Sequence, residues 1–237
     1  MKLTVAVSPK KIALTLTLVA LSLTLASAVA QFVQISQGLG NTGFLTMFFV
    51  EKDDTIPEWF SSAILLFCSI LLAVIARYTR SAGDRFVLHW WVLSAIFLYL
   101  SVDEGVSIHE KTSPLGRSML EGIGLDSGGF IIRGWVVPGA ILVLIFALAY
   151  LRFVVALPPG IRRLFLLAGL LFVVGAIGME VLRDFHANLL GGPRNMSIEQ
   201  ITVRIVIAYV EEFLEMVGVI VFIYALMLHI GARTKEA

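Results

Sequence analysis

Three short stretches of the chain combine carboxylates and imidazoles of the kind that bind metal ions or move protons. They are LSVDEGVSIHE at 100–110, GMEVLRDFH at 178–186 and YVEEFLEM at 209–216. Asp, Glu and His are ligands of Mn, non-haem Fe and Zn, and they also serve as general acids and bases. We predict that the three stretches build one site, whose candidate residues are Asp103, Glu104, His109, Glu110, Glu180, Asp184, His186, Glu211, Glu212 and Glu215.

The spacing within each stretch lets one helix direct two carboxylates to the same place, because residues three or four positions apart are neighbours on a helix face. The pairs are Glu180 with Asp184, Glu215 with Glu211 and Glu212, and, in a helix that continues past Val102, Asp103 with Ser107 and Glu110. We therefore expect eight carboxylates and two imidazoles to face a small volume.

The elements that must position these residues are membrane spans. The chain has 237 residues, of which 58% are apolar and 15% charged, with a mean hydropathy of +0.92, whereas a soluble domain carries about 25% charged residues. Six apolar runs are long enough to cross a bilayer as helices: 12–30, 59–76, 86–102, 131–153, 164–182 and 205–230. The prediction is an all-α, polytopic membrane bundle of six transmembrane helices, with residues 1–237 forming a single transmembrane domain.

The two ends of the chain carry further signals. Lys10 and Lys11 before an apolar stretch that ends in small residues are also typical of a cleaved secretory signal, but we interpret the first run as a retained span. Before the last run, Ser197 and Gln200 have the spacing of a capping box, which predicts that the final helix begins before Arg204.

The distribution of charge predicts the orientation. Eleven of the 18 basic residues lie in short segments beside one set of span ends, and such residues favour the cytoplasm: Lys2, Lys10, Lys11, Arg77, Arg80, Arg85, Arg152, Arg162, Arg163, Arg233 and Lys235. Both termini are then cytoplasmic, and segments 31–58, 103–130 and 183–204 lie outside. All three acidic stretches fall on the outer half of the membrane.

Glu211, Glu212 and Glu215 are the most informative acids, because they lie deep in the last span, where an ionised side chain is costly. Such carboxylates must be protonated, paired with arginine or neutralised by a bound cation. We favour a divalent metal, Fe, Mn or Zn, bound in an outward-facing site, with metalloenzyme chemistry on a lipid or other apolar substrate as the extension of that hypothesis. The paired Glu-x-x-His units of ferritin-like sites are absent from the sequence.

Two other hypotheses remain open. The acids could form part of a proton- or cation-coupled transporter, although the inner halves of the spans contain almost no ionisable residue. Alternatively, they could form an ion-paired lock between helices in a structural or accessory subunit, with arginines as the cations. Those arginines would be Arg133, Arg183 and Arg204.

Composition limits the partners. A net charge of +1 without a basic arm excludes a nucleic-acid partner, and the single cysteine, Cys68, excludes an intrachain disulfide. The bilayer is the expected environment. A membrane-protein complex or a homo-oligomer stays open, because a lateral interface has no sequence signal distinct from lipid-facing apolar surface.

Two histidines, four acids of the first outer segment and three glycines give further expectations. We interpret His89 and His229 as interfacial residues near the inner ends of their spans. A solvated loop face is expected for Glu51, Asp53, Asp54 and Glu58. Close approach of the fifth span to a neighbour is expected at Gly169, Gly175 and Gly178.

Three blocks of the sequence resemble recurring blocks of a group of uncharacterised bacterial six-span membrane proteins. They are IPEWFSS at 56–62, LSVDEGVSIHE at 100–110 and EEFLEM at 211–216. The resemblance implies a bacterial inner-membrane location and carries no established activity. Two better-known groups fit less well: ceramidase-type membrane hydrolases have paired histidines on a late span, and alternative-oxidase-type di-iron proteins have paired Glu-x-x-His units, and this chain has neither.

Overall fold

The computed structural model of the protein describes residues 8–38, 43–122, 134–189 and 197–235; within its helices, the side chains at 110, 115, 119–121, 198 and 233–235 are also outside the description. These residues form helices and connecting turns, and no strand occurs among them, so the all-α prediction is confirmed. The helices are α1 (Pro9–Ser36), α2 (Ile56–Ser81), α3 (Val87–Val106), α4 (Ile108–Gly122), α5 (Val136–Ala156), α6 (Pro159–Val173), α7 (Glu180–Leu189) and α8 (Ile198–Lys235). A 3₁₀ turn at Phe44–Phe48 precedes α2, and a π-helical turn at Val174–Met179 joins α6 to α7.

Six helices are long and apolar enough to cross a membrane, so this is a multi-pass membrane protein. They are Pro9–Ser36, Ile56–Ser81, Val87–Val106, Val136–Ala156, Pro159–Leu189 and Glu199–Ala232. Large apolar side chains such as Leu14, Leu142 and Leu170 are more than half exposed on the protein, and a bilayer is the solvent in which such surface is stable.

Helix α8 is the centre of the bundle. In its most apolar stretch 61% of the residues are buried, against 11% in α1 and in α5. Met216, Ile220 and Ile223 belong to the core that α8 shares with α2 and α6. The capping box predicted for its start is confirmed, since Gln200 accepts from the backbone N–H of Ser197 at 2.8 Å and Ser197 Oγ accepts from that of Gln200 at 3.4 Å. The acidic stretch of α8 is thereby fixed to the best-packed element of the fold.

Four serines join α2 to α3 through reciprocal hydrogen bonds. Ser62 Oγ donates to the Ser101 carbonyl at 2.7 Å, and Ser101 Oγ donates to the Ser62 carbonyl at 2.8 Å. One heptad deeper, Ser69 and Ser94 repeat the arrangement at 2.8 and 2.9 Å. Small polar side chains let the two backbones approach closely, and their hydrogen bonds replace those that water would otherwise supply.

Ser69→Leu is therefore expected to lower the free energy of unfolding by about 1–3 kcal/mol, because leucine removes the hydrogen bond from Ser69 Oγ to the Ser94 carbonyl and overfills a closely packed interface. Thermal unfolding in detergent measures the change. Ser81→Leu, the same substitution at an exposed position at the end of α2, is the matched control and should change the midpoint little. Equal effects of the two variants would contradict a structural role of the serine contacts.

Helix α3 continues past Val102 but ends at Val106, so the helix through 100–110 that would put Asp103, Ser107 and Glu110 on one face does not form. Ser107 adopts a left-handed conformation, with φ of 50°, and its hydroxyl donates to Asp53 at 2.9 Å. Asp103 and Ser107 consequently do not share a helix face. Asp103 instead points towards the start of α4, where it accepts from the backbone N–H of His109 at 2.9 Å.

The fifth span contains the close approach that glycine spacing predicts, but at one of the three predicted positions. A Cβ atom on Gly175 would lie 2.8 Å from Cγ of Glu215 and 3.0 Å from the Glu211 carbonyl oxygen, so the π-helical turn lies directly against α8. Gly169 faces open space, and a Cβ on Gly178 would meet only its own helix, at Val174. π-Helical turns within α-helices are frequent at functional sites, and this one ends immediately before Glu180.

Aromatic side chains fill the opposite end of the bundle, where they contact His89 and His229. His229 is only 2% exposed, and its ring lies 5.1 Å from that of Trp90. His89 stacks on Phe153 at 5.5 Å. His229 is therefore a packed residue of the bundle, because aromatic rings of α3 and α5 cover that part of α8; its position at the membrane interface stays a prediction.

Candidate functional site

One arginine holds two of the predicted site acids across the seam between α7 and α8. The guanidinium of Arg183 donates from Nη2 to Oε2 of Glu180, one turn earlier on α7, and its Nη1 lies 3.5 Å from Oε2 of Glu211 on α8. The side chains of Glu180 and Glu211 are 1% and 8% exposed. We call Arg183, Glu180 and Glu211 the arginine clamp. A buried arginine with hydrogen-bonded carboxylate partners satisfies charges that would otherwise be very costly inside a bundle.

A second group of acids lies beside the clamp. Glu212 interacts electrostatically with Glu58 and Glu104, and Glu215 interacts with Glu104 and Glu212. Glu58, Glu104, Glu212 and Glu215 form what we call the carboxylate cluster, contributed by α2, α3 and α8. In the described part of the chain, no hydrogen bond or ion pair is found for the side chains of Glu104, Glu212 or Glu215. Arg183 attracts Glu212 and His109 attracts Glu104, but neither forms an ion pair with the cluster in that part of the chain, so its negative charge is only partly compensated.

Glu58 is the cluster member that sequence analysis placed elsewhere, on a solvated loop. It is the third residue of α2, in a capping box with Thr55: Thr55 Oγ1 accepts from the Glu58 backbone at 3.4 Å, and Glu58 accepts from the Thr55 backbone at 3.2 Å. The spacing Thr55-x-x-Glu58, with Pro57 at the helix start, could have identified this. The helix begins early enough to bring Glu58 to the level of Glu104.

Two other acids of the first outer segment are exposed, as expected of a solvated face, and they also accept hydrogen bonds from the bundle. Glu51 accepts from Gln31 Nε2 at 2.9 Å, and Asp53 accepts from Ser107. Tyr209 extends the first contact, since its hydroxyl donates to Gln31 and accepts from Ser27 at 3.3 Å. These bonds attach α1 and the segment before α2 to the end of the bundle that holds the acids.

Asp103 and His109 form a pair of their own at the junction of α3 and α4. Oδ2 of Asp103 lies 2.9 Å from Nδ1 of His109, and the imidazole packs edge-on against Trp135 at 5.0 Å. Glu104, next to Asp103, interacts electrostatically with His109. A carboxylate on Nδ1 fixes the ring and its tautomer, which is how proteins orient a histidine that binds a metal or accepts a proton.

The remaining predicted residues lie on or beside α7. Asp184 is buried, one turn after Glu180, and interacts electrostatically with Arg183. His186 is half-buried, and its Nδ1 has no hydrogen-bond partner within the described residues. The side chain of Glu110 and the whole of Arg133 lie outside the described residues. Nine of the ten candidates thus divide between the clamp, the cluster, the Asp103–His109 pair and the flank of α7.

A preformed metal site is not present in the described ranges, since no three His, Cys, Asp or Glu side chains there are grouped closely enough to hold an ion. The carboxylates are neighbours without converging on one point. What the arrangement can do is take up positive charge, as protons or as a cation, at a place where negative charge is in excess.

Comparison of the chain with known protein families finds a match over most of its length. The model of one family matches residues 12–230. The chain belongs to DUF8692, a domain of unknown function. No curated protein and no solved structure matches the chain. The DUF8692 match includes every clamp and cluster residue, and it agrees with the resemblance to an uncharacterised family.

Proposed function

We propose that the carboxylate cluster binds a divalent cation, Fe, Mn or Zn, while the arginine clamp holds α7 to α8 beside it. The observation that carries the proposal is the division of charge. Arg183 forms ion pairs with Glu180 and Glu211 and attracts Glu212 only at longer range. Glu104, Glu212 and Glu215 have no hydrogen bond or ion pair to a basic side chain in the described part of the chain. Excess carboxylates within a membrane bundle require a positive counter-charge.

The Asp103–His109 pair favours a bound metal over an ion-paired lock between helices. Metal-binding histidines commonly have a carboxylate on the other ring nitrogen, and His109 has this arrangement next to Glu104. Binding requires the carboxylates of Glu212 and Glu215 to rotate towards the ion, since they do not converge in its absence. A bound ion would supply a Lewis acid or an activated water for chemistry on a lipid or other apolar substrate.

A proton-binding role is the second candidate, and the absence of a three-ligand group in the described ranges favours it. In that case Glu104, Glu212 and Glu215 are neutralised by protons, as in proton-coupled transporters. We further propose a bacterial inner-membrane location with both termini in the cytoplasm, which puts the cluster on the outer half of the membrane.

Metal analysis of protein purified without chelators tests the first candidate. We expect bound metal in the wild type and a decrease of at least about tenfold in Glu212→Gln and in Glu215→Gln, because each variant removes a ligand charge while keeping the side chain's volume. Glu199→Gln, in the exposed first turn of α8, is the matched control and should retain the wild-type content.

Two results would contradict metal binding. One is a wild-type protein that contains no metal and takes up none when Fe, Mn or Zn is added. The other is equal loss of metal in all three variants, which would indicate non-specific attraction by surface acids. A proton flux in proteoliposomes that disappears in Glu212→Gln would then favour the second candidate.

A further inference from the structure

A separate pocket lies at the other end of the bundle from the carboxylate cluster. It has a volume of about 210 Å³ and lies between the turn that joins α2 to α3 and the turn that joins α5 to α6. His229 lines it fourteen residues after Glu215 on α8, which corresponds to about 21 Å along the helix. Pocket and cluster are therefore independent sites.

The walls of the pocket are aromatic and fixed. Trp90 and Phe153, both at most 2% exposed, pack edge-on with centroids 4.8 Å apart, and the Trp90 ring covers His229. Phe86 continues the aromatic group, 5.6 Å from Phe153. A pocket between packed rings keeps its shape without a ligand, so little entropy is lost when one binds.

A cationic side chain lies at the pocket. Arg85 lines it, and the guanidinium is held over the face of the Phe86 ring, 4.7 Å from its centroid. Asp84 also lines the pocket, but its carboxylate accepts from the backbone N–H of Phe86 at 2.8 Å and so faces the start of α3. Arg85 is therefore the positively charged side chain of the lining that an anionic ligand can approach, while Asp84 is held at the start of α3.

The end of the bundle around the pocket also carries an excess of positive charge. Near the pocket's end of the spans, the described basic residues are Lys10, Lys11, Arg77, Arg80, Arg85, Arg152, Arg162 and Arg163. Asp84 is the one acid among the described residues of the two turns, 82–86 and 157–158. Such a field concentrates anions at the pocket.

We propose that this pocket binds the phosphate-bearing headgroup of an anionic phospholipid. Arg85 contacts the phosphate, and the headgroup lies in the opening beside Phe86, Ala156 and Pro158, against the buried rings of Trp90, Phe153 and His229. The volume of about 210 Å³ is below that of pockets for drug-sized molecules, about 300–1,000 Å³, and fits a headgroup-sized fragment. Basic pockets between transmembrane helices are known to bind phospholipid headgroups.

The apolar surface beside the pocket favours a lipid over a free phosphate compound. Leu88, Leu151 and Val155 are each more than half exposed, and they lie on α3 and α5 within two residues of pocket-lining residues, at the same depth along these helices. An acyl chain attached to a bound headgroup can extend along these side chains into the bilayer. A free phosphate would make no use of that surface.

Native mass spectrometry of the detergent-purified chain tests the proposal with phosphatidic acid and phosphatidylcholine of identical acyl chains. We expect phosphatidic acid to bind more tightly, and its affinity to decrease about fivefold in Arg85→Gln, because one basic residue at an anionic headgroup contributes about that factor. Ala156→Trp, which fills the pocket without changing its charge, should also abolish the preference.

Arg77→Gln removes the same charge from an exposed position on α2 that does not line the pocket, and should leave the affinity within twofold of the wild type. A decrease as large as that of Arg85→Gln would show diffuse attraction and overturn the proposal. Equal binding of the two lipids would overturn it as well. Glycerol 3-phosphate binding as tightly as phosphatidic acid would overturn the assignment to a lipid. Unchanged melting temperatures show that the variants are folded.

Discussion

Replacing Arg183 with glutamine is expected to lower the free energy of unfolding by about 3–5 kcal/mol. Arg183 is the positive member of the arginine clamp, and its removal leaves the carboxylates of Glu180 and Glu211 buried without that partner. Most of this cost is the desolvation of the two carboxylates that remain buried. The lost attraction contributes less, because an ion pair between arginine and glutamate that is exposed to water stabilises a protein only slightly. Thermal unfolding in detergent, followed by tryptophan fluorescence, measures the change.

A compensated variant isolates that cause. When Glu180→Gln and Glu211→Gln accompany Arg183→Gln, no buried charge of the clamp remains, so we expect most of the lost stability to return. Arg77→Gln, at an exposed position, should shift the midpoint little. A single Arg183→Gln variant as stable as the wild type would show that the clamp does not hold α7 to α8.

Alanine substitutions of two glycines, Gly218 on α8 and Gly169 on α6, should affect the free energy of unfolding differently. A Cβ atom on Gly218 would lie 2.9 Å from the backbone nitrogen of Phe172 and 3.0 Å from the carbonyl oxygen of Ala168. These are backbone atoms of α6, so the clash can be relieved only by moving the two helices apart. We expect Gly218→Ala to cost about 1–3 kcal/mol of unfolding free energy.

Gly169→Ala is the matched control, because a Cβ there meets nothing within 4 Å. It should leave stability unchanged or raise it by up to about 1 kcal/mol, since glycine loses more backbone conformational entropy than alanine when a helix folds. The two melting temperatures, measured side by side, give the comparison. If both variants behave alike, α6 and α8 do not depend on backbone contact at Gly218.

The carboxylate cluster shows how far sequence reasoning reaches for a membrane site. The sequence predicts that Glu104, Glu212 and Glu215 lie together, because ionisable residues at membrane depth are rare and must share a counter-charge. For Glu58 it predicts a loop, because acidic neighbours indicate solvent. Its place in the cluster depends on where α2 begins relative to the end of α3, which is a long-range relation.

The sequence by itself determined the helical elements of this protein. Apolar runs of about 20 residues fix membrane helices whatever their neighbours are, because each helix satisfies its own backbone hydrogen bonds in lipid. Local hydrogen bonds likewise fix the start of α8 at Ser197 and Gln200. Signals of this kind act over a few residues, so they can be recognised in the chain alone.

Only the tertiary structure decided how the charges are divided. Arg183 could have paired with acids on any neighbouring helix, and the close contact of Gly175 with α8 is what places it between Glu180 and Glu211. The left-handed turn at Ser107, which separates Asp103 from its predicted face, is accompanied by a hydrogen bond to Asp53, 54 positions earlier. Pairings over such distances depend on how the helices pack, and helix packing is not encoded in the periodicity of any one segment.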